Sequence, residues 1–151
     1  MTSEVMDPAR RVAKNGSHRN TDARKEPAMN VELLQSVVDQ HLAAYCDPDA
    51  ARRERAIREI WNRDGRLLDP PLEARGHQGI ADQAGTLLSH YPQHRFERTT
   101  TVDAHHGYLR YGWKLLDAKG AEVLAGVDFV ELDLDGKLWR VVGFFGPQAS
   151  V

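Results

Sequence analysis

Asp128 is a carboxylate set in an otherwise apolar run, Glu122-Val123-Leu124-Ala125-Gly126-Val127-Asp128-Phe129-Val130-Glu131-Leu132. Side chains alternate across a strand, so Asp128 shares a face with Leu124, Val130 and Leu132, while Val123, Ala125, Val127 and Phe129 take the other. Both faces are apolar, as in a strand covered on both sides, and a charge placed there needs a partner or a proton. Such a carboxyl group has the environment of a general acid or base, and equally that of one half of a structural ion pair.

The preceding hairpin determines what Asp128 meets. If Ala118-Lys119-Gly120 forms a three-residue loop with Gly120 in the left-handed conformation, Arg110 lies opposite Asp128 and Gly112 opposite Gly126. A loop one residue shorter puts Leu109 there and turns Arg110 away. Gly120 favours the first register, which also gives a buried carboxylate a cationic partner. A close arginine lowers the aspartate pKa and keeps it ionised, whereas a dry pocket without one raises it and makes a proton donor. A buried Arg110–Asp128 bridge that only fixes strand register is an equally good account of the same residues.

These positions are held by elements that can be read from periodicity. From Asn30, a plausible N-cap, Leu34, Val37, Val38, His41, Leu42 and Tyr45 recur at helical spacing. A second helix starts near Asp47-Pro48, places Ile57, Ile60 and Trp61 on one face, and stops around Asn62 to Gly65. Arg66 to Asp69 is a short extended piece ended by Pro70-Pro71, and Gly76 to Gly79 lead into a third helix that closes before Pro92. Four strand-like runs follow, Arg95 to Ala104, Tyr108 to Leu116, Glu122 to Leu132 and Leu138 to Phe145, joined by short turns at His106-Gly107, Lys119-Gly120 and Asp135-Gly136. Three helices ahead of an antiparallel meander predict an α+β architecture with the helices on one face of a curved sheet.

The 151 residues, 41% of them hydrophobic, suit one globular domain of ordinary size. No run reaches the roughly 18 apolar residues of a membrane span, and no apolar stretch follows the first charges as a secretion signal would, so a soluble, cytoplasmic protein is expected. Cys46 is the sole cysteine, which excludes an internal disulfide and multi-cysteine metal sites. Twenty Lys and Arg against 22 acidic residues argue against a nucleic-acid surface. Positions 1–28 differ: Arg10, Arg11, Lys14, Arg19, Arg24 and Lys25 outnumber Glu4, Asp7, Asp22 and Glu26, with few apolar residues and no periodicity, the composition of a disordered tail.

Trp61, the Asp69-Pro70 step, the Gly76-His77-Gln78-Gly79-Ile80 entry to the third helix, Gly126-Val127-Asp128 and Asp135-Gly136-Lys137-Leu138 occur in an order and spacing that resemble the SnoaL-like branch of the nuclear transport factor 2 superfamily. The resemblance runs from about Val31 to Gly146 and places the domain at 29–148. It implies a cone-shaped α+β barrel, three N-terminal helices packed on a curved, mainly antiparallel sheet, a deep apolar pocket between them, and a homodimer through the outer sheet face. It also implies that Asp128 is the acid/base of cyclase-type relatives. Isomerase-type members use a second acidic group as an oxyanion donor, for which the sequence offers no clear equivalent. Asp69, before two prolines near the expected pocket mouth, is the other carboxylate to weigh, although an Asp-Pro step is commonly just a turn.

Tyr45, Trp61, Tyr91, Trp139, Phe145 and His41 are candidates to line a flat apolar ligand site, with most such aromatics expected in core or interface. Tyr111 and Trp113 share an apolar stripe with Leu109 and Leu115, better suited to packing than to polar chemistry. His41 reads as a core histidine with one hydrogen-bond partner. His105 and His106 are neighbours whose side chains diverge in regular strand geometry, Asp103 and His105 flank a hairpin end, and His90 and His94 straddle Pro92, so no metal is expected. Walker, Gly-x-Gly-x-x-Gly and Gly-x-Ser-x-Gly patterns are missing, which leaves cofactor-free proton transfer. The expected function is therefore acid/base chemistry on a small apolar cyclic or polyketide-like molecule, of isomerase, cyclase, dehydratase or epoxide hydrolase type, using Asp128, Arg110 and Asp69. The alternative is a non-catalytic ligand-binding or dimerisation module of the same fold.

Overall fold

Asn30 starts the first helix, its side-chain oxygen accepting the N–H groups of Glu32 at 2.9 Å and Leu33 at 3.4 Å. Helix α1 (Val31–Tyr45) buries Leu34, Val38, His41, Leu42 and Tyr45 along one stripe. Helix α2 (Ala50–Ile60) is capped by Asp49, just after the Pro48 that marked its start, and ends at Ile60 rather than between Asn62 and Gly65. The chain is already extended at Trp61, opening β1 (Trp61–Asp69), which pairs with β2 (Leu72–Arg75) before α3 (Gly76–His90). The computed structural model describes residues 30–147 and 150–151; the basic stretch 1–28, and the domain limits 29 and 148, lie outside the described residues.

The expected run from Arg95 to Ala104 is two strands, β3 (Arg95–Arg98) and β4 (Asp103–His105), both on the same edge of β5 (Tyr108–Leu116). The break falls where Thr99 N–H donates to the Gly112 carbonyl at 2.8 Å and Thr100 Oγ1 accepts the Gly112 N–H at 2.9 Å, a detour that fits because Gly112 has no Cβ to meet those threonines. With β6 (Glu122–Leu132) and β7 (Leu138–Phe145) the sheet runs β2-β1-β7-β6-β5-β3, antiparallel except at β1–β7. Its two ends do not pair, so the seven strands form an open mixed sheet rather than a closed barrel. The three helices pack on it, joining Val38, Ile57, Ile60 and Ile80 to Leu67, Leu109, Leu115, Val130 and Val141 in one core. No described helix is long and apolar enough to cross a membrane.

The register between β5 and β6 corrects the pairing expected for Asp128. The loop has the conformation anticipated, with Gly120 at φ +83°, and Leu116 pairs with Glu122. Leu115, however, pairs with Leu124, leaving Val123 as the extra residue of a bulge. From there on every partner is displaced by one: Tyr111 lies opposite Asp128, and Arg110 opposite Phe129. A one-residue slip exchanges faces, so Arg110 points away from Asp128 and pairs instead with Asp103 across exposed surface, Nε to Oδ2 at 2.8 Å. An ion pair that exposed contributes at most about 1 kcal/mol.

The outer face of β6 is not covered by the described residues. Val123, Val127 and Phe129 are exposed, as is Phe144 of β7, whose ring meets Phe129 edge-on at 5.9 Å. The inward face carries Gly126, Asp128 and Val130.

Candidate functional site

Asp128 lies in the middle of β6, 6% exposed, and both of its oxygens accept hydrogen bonds from β5. Tyr111 Oη donates to Oδ2 at 2.7 Å and Trp113 Nε1 donates to Oδ1 at 2.8 Å. Both donors sit on the stripe that read as plain packing. Tyr and Trp are apolar bodies with a polar tip, and only the bulged register brings two such tips to one carboxyl group. Their hydrogen-bonding capacity on the strand preceding Asp128 was the available signal.

Asp69, at the end of β1, points inward like Leu67 and lines the same cavity as Asp128. Pro70-Pro71 stops the strand there, so this Asp-Pro step closes an element and leaves its carboxyl group in the interior. The two acids converge over Gly143 of β7, which pairs with Asp128: a Cβ at Gly143 would collide with Asp69 Oδ1 and come within 3.1 Å of Asp128 Oδ1. Asp69 is the second carboxylate weighed in the sequence, and the structure brings it to the same cavity as Asp128. Among the described residues no lysine or arginine lines the cavity to neutralise the pair.

Their proton affinities follow from that setting. Burial pushes the Asp128 carboxyl up to about 7; the Tyr111 and Trp113 donors work against this, and the nearby Asp69 charge adds to it. Burial alone raises Asp69 to about 6. Between about pH 6 and about 7, where Asp69 has released its proton and Asp128 keeps one, the two acids hold about one proton between them. With no cation among the described residues of the lining, the aspartates stay poised between donor and acceptor, the outcome opposite to the one an adjacent Arg110 dictates.

The cavity, about 460 Å³, lies between α1, α3 and the sheet. Tyr45, Tyr91, Phe145 and His41 line it together with Asp69 and Asp128. Trp61 and Trp139 do not. Trp61 is buried beneath, its ring edge-on to His41 at 5.4 Å. Trp139 is the extra residue of a second bulge, between the Leu132–Leu138 and Glu131–Arg140 pairs, at the opposite end of β7 from Gly143. Leu42, Leu72, Leu87, Phe96, Leu115 and Leu124 complete an apolar lining that sequence periodicity assigned to general core or left unassigned.

His41 lies on the inward stripe of α1 as expected, but its expected hydrogen-bond partner and the divergence of His105 and His106 are not found among the described residues. His41 faces the cavity at 4% exposure and makes no hydrogen bond among the described residues; burial holds its imidazole down to about 4, so it is neutral. His105 and His106 do not diverge, because His106 takes φ +49° in the turn and brings the two Nδ1 atoms to 3.2 Å. Asp103 is engaged by Arg110, His90 lines the cavity, and His94 meets Tyr91 edge-on at 5.2 Å. Among the described residues no three His, Cys, Asp or Glu side chains are grouped to hold a metal ion.

Gly143→Ala tests the convergence of the two acids. The added methyl group must displace Asp69 and crowd Asp128, so it should destabilise the fold by about 1–3 kcal/mol and disturb the pair. Urea denaturation reads the first effect, and carboxyl titration by NMR reads the second. Unchanged stability and unchanged titration would mean that the acids do not meet there.

No protein-family model matches the chain, and a search of curated proteins returns no match. Solved structures do match. One from Agrobacterium tumefaciens, described as a candidate isomerase of the SnoaL-like family, superposes with a TM-score of 0.71 at 31% identity, over 75% of this chain and 97% of its own. A candidate polyketide cyclase from Sinorhizobium meliloti gives 0.60 at 14% identity, over 76% of this chain and 99% of its own. A de novo designed protein with a curved β-sheet also gives 0.60, at 17% identity, over 79% and 89%. The last two are likenesses of fold alone, and a shared fold does not fix an activity.

Proposed function

The chain belongs to the SnoaL-like family of the nuclear transport factor 2 superfamily, and on that premise we propose that it binds a small apolar cyclic or polyketide-like molecule and moves a proton on it, without a cofactor, between Asp69 and Asp128. The observation that carries this reading is the pair of carboxyl groups converging over Gly143 in an apolar cavity, with no lysine or arginine among the described residues that line it.

The roles follow from the pKa order. Asp69, nearer the ordinary carboxylate range, is the base that removes a proton from the carbon beside a carbonyl group. Asp128 holds the proton and gives it to the carbonyl oxygen as the enol forms, with Tyr111 and Trp113 then stabilising the charge left on its carboxylate. Returning the proton at a different carbon gives an isomer; attack of the enol on a second carbonyl gives a ring. The apolar walls exclude water that would compete for the proton. We place the partner of a homodimer on the exposed Val127, Phe129 and Phe144 face, since an apolar patch of that kind on a sheet marks an interaction surface.

The test is exchange of carbon-bound hydrogen for deuterium beside the carbonyl of cyclic ketones, followed by NMR in heavy water. Wild-type protein should accelerate it, and Asp69→Asn should reduce the acceleration by about 10²-fold or more. A ketone that binds without exchanging in the wild type, or an Asp69→Asn protein that exchanges at the wild-type rate, removes the role given to Asp69.

A further inference from the structure

The helix side of the cavity carries polar groups that the proton transfer does not use. Gln83 of α3 donates from Nε2 to Tyr45 Oη of α1 at 3.0 Å. That bond occupies the phenol oxygen as an acceptor and leaves its own O–H without a protein acceptor among the described residues. Tyr45 is 7% exposed, and burial with the Asp69 charge raises its pKa, so the proton stays on. One helical turn earlier His41, also buried and neutral, presents a ring with one N–H donor and one bare acceptor nitrogen, neither of them engaged.

Polar groups that open on an apolar cavity with hydrogen bonds still to make are points at which a ligand can be held and oriented. The hydrogen-bond inventory narrows that ligand. Tyr45 offers a donor, and neutral His41 carries an acceptor nitrogen beside its own N–H, with the two rings 5.9 Å apart; a hydroxyl group, which accepts one hydrogen bond and donates another, complements the Tyr45 donor and the His41 acceptor. A carbonyl or ether oxygen satisfies Tyr45 and leaves His41 unpaired, unless the imidazole turns its own donor inward. A carboxylate or phosphate finds no lysine or arginine among the described residues of the lining and two acids already there.

We propose that Tyr45, oriented by Gln83, and His41 form a recognition point for a ligand hydroxyl, so that the substrate class is an uncharged hydroxylated cyclic ketone. Its carbonyl end lies at the carboxyl pair and its hydroxyl at α1. The carbonyl half of this statement rests on the acid/base reading above; the hydroxyl half rests on Tyr45, Gln83 and His41.

The experiment compares trans-decalone with the full positional set of its monohydroxy derivatives, measuring affinity by calorimetry and hydrogen exchange by NMR on the same samples. At least one hydroxydecalone should bind about tenfold or more tightly than decalone, because a site built to bond a hydroxyl rejects the analogue lacking it. In Tyr45→Phe that ratio should collapse toward one. Gln83→Leu, which keeps the phenol and frees its orientation, should lower the ratio as well and guards against a Tyr45→Phe protein that fails to fold. Equal affinity for every compound, binding of none, or a ratio unchanged in both variants overturns the proposal. Hydroxyl-dependent binding without exchange leaves it standing and removes the acid/base reading. Exchange of decalone and hydroxydecalones with equal KM does the reverse.

Discussion

Asp128→Asn is expected to lower the hydrogen-exchange rate by about 10²- to 10⁴-fold while leaving the protein at least as stable as the wild type at neutral pH and above. The loss follows because an amide neither gives nor takes the transferred proton. The retained stability follows from the partners of Asp128. Asparagine can still accept the Trp113 indole N–H through its oxygen, and the Tyr111 hydroxyl can rotate from donor to acceptor for the new N–H group. A carboxylate that repelled Asp69 is gone. Had Arg110 been the partner, the same change would strand a buried cation at a cost on the order of 3 kcal/mol or more. Exchange by NMR and unfolding in urea, run together, separate the two cases. A variant that unfolds far more readily while wild-type exchange is absent would make Asp128 a structural residue.

Stability should fall as pH rises from about 4 to about 7, against the usual direction for carboxylates. Asp128 rises from an ordinary 3.8 to about 7 in the folded protein, and Asp69 from 3.8 to about 6. Between those values the folded state holds protons that the unfolded chain has released. Their contribution is therefore fully present below pH 3.8 and lost as pH climbs through the folded values. For Asp128 the loss is about 4 kcal/mol and for Asp69 about 3 kcal/mol, at 1.36 kcal/mol per unit. His41 has the opposite sign: its pKa drops from 6.5 to about 4, so the unfolded chain takes a proton the folded state refuses, and about 3 kcal/mol is regained as pH rises through that window. His41 and Asp69 nearly offset, and the net decline belongs to Asp128. Urea unfolding at successive pH values should show the decline in the wild type and flatten it in Asp128→Asn. Wild-type stability that climbs steadily over the same range would show Asp128 ionised throughout.

The helices, the strand boundaries near the site and the identity of Asp128 were legible because each depends on local pattern: the Asn30 cap, the helical stripe through Leu34 and Tyr45, and a lone acid among β-branched and aromatic neighbours. What Asp128 touches depends on pairing between strands, and there the local signals misled. Gly120 set the loop correctly, but the bulge at Val123 has no glycine or proline to mark it, since that residue is an ordinary β-former. Asp69 was obscured by its neighbours: Pro70 and Pro71 do form the turn between β1 and β2, and an Asp-Pro turn does not reveal whether its acid faces solvent or the interior. Tyr45 and His41 were picked out as aromatic lining, while Gln83, which gives Tyr45 its orientation, lies on a separate helix with nothing in its sequence surroundings to connect the two.

The bulge at Val123 also absorbs a mismatch of parity between β5 and β6. With Val123 spent outside the ladder, Tyr111 and Trp113 share the inner face with Asp128; pairing Val123 regularly would instead bring Arg110 opposite Asp128 and turn one side of that contact outward. Losing Val123 removes the bulge and leaves every pair from Leu115–Leu124 onward in place. A residue inserted between the bulge and Asp128 reaches the acid as a change of face, unless a second bulge absorbs it.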